Sequence, residues 1–157
     1  APLLARNILG ETHPVDFGRD FLDGRRLFGD SKSWEGIVAG ILVGAVTGLA
    51  LAPLYGYRYA ELALIGLLEG LSAMLGDLLN SFLKRRLGLK PGAPLPVLDQ
   101  LSFILVAVAV MRFLGVTKTI GVELGFTEAL IVIVAALILH PLTNYIAYLL
   151  KLKEVPY

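Results

Sequence analysis

Two aspartates, Asp77 and Asp99, bracket a run of cations in the stretch GDLLNSFLKRRLGLKPGAPLPVLDQ. The first lies near the end of an apolar helical run and the second opens the next one. Carboxylates at membrane depth are costly and persist where they bind or catalyse something. Asp77, Asn80, Ser81 and Lys84 follow one another at i, i+3, i+4 and i+7, so one helical face carries all four. Lys84, Arg85 and Arg86 must stand outside the hydrocarbon, which sets Asp77 about two turns, roughly 10 Å, below them. The loop from Gly88 to Pro96 holds Gly88, Gly92, Pro91, Pro94 and Pro96. It cannot continue a helix and turns the chain back, so a hairpin can carry Asp77 and Asp99 to similar depth. Paired carboxylates with no cysteine in the chain favour a hard cation, Mg²⁺ with the phosphates it carries, and Lys84, Arg85, Arg86 and Lys90 suit those phosphates. Two plainer readings stand beside this one. Asp77 and Lys84 could be an ion pair that only orients the helix, and Asp99 could be a simple helix cap.

A second polar element precedes the first apolar run. Residues 16–36, DFGRDFLDGRRLFGDSKSWEG, are rich in glycine and charge. Arg25, Arg26 and Lys32 can take phosphates, with Ser31 or Ser33 and the N–H groups of a helix start. Asp23 could join the metal or receive a base or ribose. The alternative is an amphipathic stretch lying on anionic lipid, which accounts for the arginines but not for the Gly-Asp-Ser-Lys spacing.

The elements that must position these groups are membrane spans. The chain has 157 residues, of which 56% are hydrophobic, and a mean hydropathy of +0.74. It has 17 glycines, several of them inside apolar stretches such as residues 36–56, as close helix packing in lipid requires. Four runs are long enough to cross about 30 Å of hydrocarbon: residues 37–55, 60–82, 98–114 and 124–150. The expected fold is an all-α integral membrane protein, a single polytopic helical bundle. The last run is long for one span, and His140-Pro141 predicts a kink or break within it. Residues 1–10 read as the tail of a further span upstream. Trp34, Tyr55, Tyr57 and Tyr59 mark interfacial ends. Glu69, inside the second run, would serve the site or pair with another span.

Eleven Lys and Arg residues fall before the first run, between the second and third, or after the fourth; Arg58, Arg112 and Lys118 alone fall on the other side. The positive-inside rule therefore places both termini and the 83–97 loop in the cytoplasm, with segment 15–36 and that loop forming one active face of a cell-membrane protein. A net charge of +1 offers no bulk attraction for nucleic acid. The absence of cysteine excludes disulfides and thiolate metal sites, and His13 and His140 have no zinc-ligand spacing.

The 76–100 stretch resembles the signature of the CTP-dependent phosphatidate cytidylyltransferase superfamily, through Gly76, Asp77, Leu78, Ser81, Lys84, Arg85, Leu98 and Asp99. The upstream FGDSKSWEG is similar to a second element of that superfamily through Lys32, Trp34, Glu35 and Gly36. Within the superfamily the chain most resembles the short archaeal CDP-archaeol synthases, from about Pro14 onward. One departure is Ser102, where the superfamily usually has a further aspartate.

The resemblance implies transfer of a cytidylyl group from CTP to the phosphate of an unsaturated archaeal diether lipid, 2,3-bis-O-geranylgeranylglycerol 1-phosphate, giving CDP-archaeol and pyrophosphate. It implies Mg²⁺ on Asp77 and Asp99, with Lys84 beside them in catalysis. CTP and lipid phosphates would be held by Asp23, Arg25, Arg26, Lys32, Ser33, Asn80, Ser81, Arg85, Arg86 and Lys90. The partners are CTP, the lipid phosphate and membrane lipids; a homodimer stays open. A CDP-diacylglycerol synthase acting on ester phosphatidate would use the same chemistry. A transporter of a small ion or metabolite would use the polar stripe as a pathway.

Overall fold

The computed structural model describes residues 12–56, 58–90 and 93–152. Four helices, α1 (Trp34–Tyr55), α2 (Tyr59–Arg86), α3 (Pro96–Leu114) and α4 (Phe126–Leu149), are each long and apolar enough to span a membrane. A short 3-10 helix, Val116–Ile120, joins α3 to α4. Among the described residues there is no strand, only isolated bridges. The expected upstream span and its tail, residues 1–10, lie outside the described residues.

Each helix packs on its neighbour in sequence, and among the described residues α4 meets α3 and no other helix. The α1–α2 contact is the closest. Gly40, Gly44 and Gly48 recur every four residues on α1 and face Gly66 and Gly70 of α2. A methyl group on Gly44 would collide with the Gly66 carbonyl, and one on Gly66 with the Gly44 carbonyl. Lipid gives no hydrophobic drive for helix association, so this backbone proximity supplies the dispersion contact that holds the pair. At the far end of the bundle Ala52, Leu62 and Ile65 form a small apolar core, covered by Val116 and Ile120. Trp34, Tyr55 and Tyr59 are exposed at helix ends, as interfacial anchors should be. Glu69 is exposed on the bundle surface and does not reach the polar site.

Of the kink or break expected at His140-Pro141, the break is not found. The α4 helix runs unbroken through Pro141 for 24 residues, about 36 Å at 1.5 Å per residue. Pro141 has no amide to give the Leu137 carbonyl one turn back, a loss that membrane helices tolerate; beside it Thr143 Oγ1 donates to the His140 carbonyl at 2.9 Å.

The polar segment ahead of α1 is a folded loop. Bridges pair Pro14 with Ser33 and Asp20 with Arg26. At its centre Asp16, 4% exposed, accepts bonds from the Gly18, Phe28 and Gly29 amides and from the Arg26 guanidinium. Burial alone would push the Asp16 carboxyl up. The Arg26 bond and the three amide bonds outweigh it and hold the group well below the usual carboxylate range. Asp16 is therefore the hub that shapes the loop carrying Lys32.

Candidate active site

A cavity of about 280 Å³ opens between the 12–33 loop and helices α2, α3 and α4, lined in part by Lys32, Asp77, Asn80, Ser81, Lys84, Arg85 and Asp99. The polar stripe of α2 thus faces one protein-walled space. Two backbone features bring it there. Gly76 lies against α3 so closely that an added Cβ would stand 2.5 Å from Phe103 Cα and 2.7 Å from the Ser102 carbonyl. The chain can therefore seat Asp77 on the turn that touches α3. Asp99 ties the start of α3: its Oδ2 accepts the Leu95 amide at 2.8 Å while its own amide bonds the Leu95 carbonyl at 2.8 Å. Asp99 is therefore not the N-cap, a position held by Leu95; it lies in the first turn and bonds back to the Leu95 amide with one carboxylate oxygen, which leaves the other on the cavity side.

Each aspartate carries an ammonium partner. Lys32 Nζ sits 2.6 Å from Asp77 Oδ2, and Lys84 Nζ pairs with Asp99 Oδ1. Lys84 also donates to the Ala93 carbonyl at 2.9 Å, and Asn80 Nδ2 to Asp99 Oδ1 at 2.7 Å. Asp77 therefore pairs with the lysine of the N-terminal loop rather than with Lys84. Arg85 is 8% exposed, spends one guanidinium nitrogen on the Lys90 carbonyl at 3.1 Å, and has its Nε unpaired.

The donor set suits a hard cation. Asn80, 5% exposed, has its Oδ1 buried without a partner beside Asp99, an orphaned oxygen that a cation would satisfy. Among the described residues no group of three or more His, Cys, Asp or Glu side chains gathers anywhere. Two carboxylates with an amide oxygen leave coordination positions for water and substrate phosphates, the manner in which Mg²⁺ is usually bound.

Other residues expected to bind phosphate are placed elsewhere. Arg25 and Arg86 form a reciprocal clasp: Arg25 Nη1 donates to the Arg86 carbonyl at 2.7 Å, and Arg86 Nη2 to the Arg25 carbonyl at 3.1 Å and the Arg26 carbonyl at 2.6 Å. Arg86 also pairs with Asp23 and lies over the Phe21 and Phe82 rings at 4.8 and 5.0 Å. Arg26 is held by Asp16 and Asp30. These side chains pin the loop to the end of α2 and leave the cavity wall to Lys32, Lys84 and Arg85. Ser33 caps α1, its Oγ accepting the Gly36 amide at 3.2 Å, and Lys90 is exposed. Ser102 is buried against Gly76 and does not line the cavity.

A family model described as CarS-like, CDP-archaeol synthase, matches residues 3–157. The chain belongs to the CDP-archaeol synthase family. A CDP-archaeol synthase of Sulfolobus acidocaldarius is 42% identical over 92% of this chain and 83% of its own. One from Staphylothermus marinus is 41% identical over 98% and 82%. A solved structure, described as an intramembrane enzyme for archaeal membrane lipids biosynthesis, is 37% identical and superposes with a TM-score of 0.73 over 91% of this chain and 85% of the other. In this member of the CDP-archaeol synthase family, Phe28, Ser31, Pro94, His140 and Asn144 complete the cavity wall. In the sequence His140 stood out only for its proline neighbour, and Asn144 not at all. Their i, i+4 spacing was the available signal, and nothing in the chain says which helix that face would meet.

Proposed function

We propose that this protein transfers a cytidylyl group from CTP to the phosphate of an archaeal diether glycerol phosphate, giving CDP-archaeol and pyrophosphate. The observation that carries this reading is one cavity, in a chain of this family, holding two lysine-paired aspartates, a buried arginine and an orphaned amide oxygen. The lipid phosphate oxygen attacks the α-phosphorus of CTP. A P–O bond forms there as the bond to the β-phosphate oxygen breaks, and pyrophosphate leaves. Such chemistry asks for positioning and charge neutralisation more than for a covalent intermediate.

Asp77, Asp99 and the Asn80 oxygen would hold Mg²⁺, which when bound neutralises the triphosphate and the departing pyrophosphate. The chain's own residues do the remainder. Lys32 and Lys84 already neutralise the two carboxylates, and a cation arriving there would release both ammonium groups toward substrate phosphates. Arg85 presents a buried guanidinium edge to the same space. The excess of Lys and Arg on this end supports a cytoplasmic site in the cell membrane, where water-borne CTP and a membrane-borne phosphate can meet.

The test is pyrophosphate release by purified protein in detergent, with each nucleotide triphosphate and with diether or ester glycerol phosphate in competition. Turnover needing CTP and favouring the diether is expected. Preference for ester phosphatidate would overturn the lipid assignment, and nucleotide-independent solute flux in liposomes would favour a transporter.

A further inference from the structure

The half-buried residues of α4 include Ala129, Ile133, Ala136, His140, Asn144 and Ala147, the stripe that meets the bundle. Small and apolar residues occupy it except at His140 and Asn144, and those two line the cavity. The His140 ring also packs on Phe103 of α3, centroids 5.3 Å apart, which fixes its direction. A packing stripe that turns polar only where it meets a cavity is serving whatever enters that cavity.

Charge and access decide which substrate that is. His140 lies nine residues before the end of α4 and Asp77 nine before the end of α2, so each sits about 14 Å below its helix terminus. The walls of α2 and α3 carry the aspartates, Lys84 and Arg85, whereas α4 contributes two neutral hydrogen-bonding groups, His140 as far from its helix end as Asp77 is and Asn144 about one turn nearer the end. Among the described residues α4 packs on α3 alone and buries none of its side chains fully. Among the described residues its apolar side chains Leu130, Ile138, Leu142 and Ile146 are exposed, so α4 offers a substrate moving within the bilayer an approach to His140 and Asn144 that does not cross the charged mouth.

We propose that His140 and Asn144 bind the phosphate–glycerol end of the lipid substrate, while the α2–α3 wall binds the nucleotide. This rests on the cytidylyl-transfer reading. An imidazole N–H and a carboxamide NH₂ donate to phosphate or glycerol oxygens without adding fixed charge beside the triphosphate. That polarity suits a group that must remain nucleophilic.

The experiment is two-substrate steady-state kinetics on His140→Ala, His140→Gln, Asn144→Ala and wild type, with melting of each protein followed in parallel. A second arm reads the melting shift given by diether glycerol phosphate alone and by CTP with Mg²⁺ alone. The lipid KM should rise tenfold or more in the alanine variants, the CTP KM should stay within twofold, and His140→Gln should recover part of the loss. The lipid-induced melting shift should fall while the CTP-induced shift persists. A raised CTP KM, an equal rise in both, or no change in either would overturn the assignment. Should His140→Ala fail to fold, His140→Gln and Asn144→Ala decide alone. Wild-type protein that melts normally but transfers no cytidylyl group would sink the underlying function instead, a result separable from any of these.

Discussion

Replacing Gly76 by alanine puts a methyl group where α2 touches α3. The added carbon would sit 2.5 Å from Phe103 Cα and 2.7 Å from the Ser102 carbonyl oxygen. Both atoms are backbone, so no side-chain rotation relieves the contact. Restoring an ordinary separation of about 3.4 Å requires α3 to retreat by roughly 0.9 Å at this turn. Asp99 lies on α3 one turn from Ser102, and Asp77 adjoins Gly76, so the retreat falls directly between the two carboxylates. A displacement near 1 Å in a positioned site costs about 100-fold in rate. Overpacking costs about 1–3 kcal/mol, offset by about 1 kcal/mol of helix propensity gained over glycine, so the variant should remain folded. Gly70→Ala is the control, because its methyl group would meet the Gly40 carbonyl at 2.9 Å on the α1–α2 contact, away from the cavity. Pyrophosphate release and thermal melting should show kcat down about 100-fold in Gly76→Ala with a small melting change. Gly70→Ala should lose stability and keep its kcat. Equal kcat in Gly76→Ala and wild type would refute the reasoning that this glycine sets the spacing of the two aspartates.

Further outcomes follow from the same geometry. Asp77→Asn and Asp99→Asn should each lower kcat by about 100-fold or more, since each removes a charge proposed to hold the cation; Asp99→Ala should also loosen the start of α3, seen as faster hydrogen exchange at Leu95. Asp16 has a depressed pKa in the folded loop, so its contribution is present above the unfolded value near 4 and is lost as pH falls through the folded one. Exchange protection at the Phe28 and Gly29 amides should accordingly drop as pH is lowered below about 4, and Asp16→Ala should remove about 1–3 kcal/mol of that protection at neutral pH. Arg86→Lys should act like a deletion, because one ammonium cannot serve Asp23 and the Arg25 and Arg26 carbonyls together; proteolysis within 12–33 should quicken, and a clasp left intact would count against its role. The chain has no cysteine, so Leu22→Cys and Glu123→Cys report orientation unambiguously: an impermeant maleimide should label only Glu123→Cys in intact cells, and labelling of Leu22→Cys would invert the topology.

What could be read in advance followed from local rules. Span positions follow from hydropathy and length, and the shared face of Asp77, Asn80, Ser81 and Lys84 follows from helical spacing. What could not be read were partners chosen by tertiary contact. Lys32 pairs with Asp77 across 45 residues of sequence, and no periodicity announces it. Arg25, Arg26 and Arg86 carry the right charge for phosphates, yet the loop spends them on carbonyls and on Asp16 and Asp23, because a segment without regular secondary structure must satisfy its backbone groups somehow. Asp16 escaped notice because an aspartate in a glycine-rich turn has no distinguishing neighbour; its importance lies in donors gathered from residues 18–29 by folding. The His140-Pro141 pair signalled a kink or a break, and the helix assignment passes through it unbroken.

The central claim is cytidylyl transfer at the cavity shared by Asp77 and Asp99. The most direct measurement follows two labels, one on the α-phosphate of CTP and one on the γ-phosphate, through purified protein with Mg²⁺ and diether glycerol phosphate, with Asp77→Asn alongside. The α label should appear in the lipid and the γ label in pyrophosphate, with neither moved by the variant. Label from the γ-phosphate in the lipid, or no lipid label from either position with folded wild-type protein, would contradict the account.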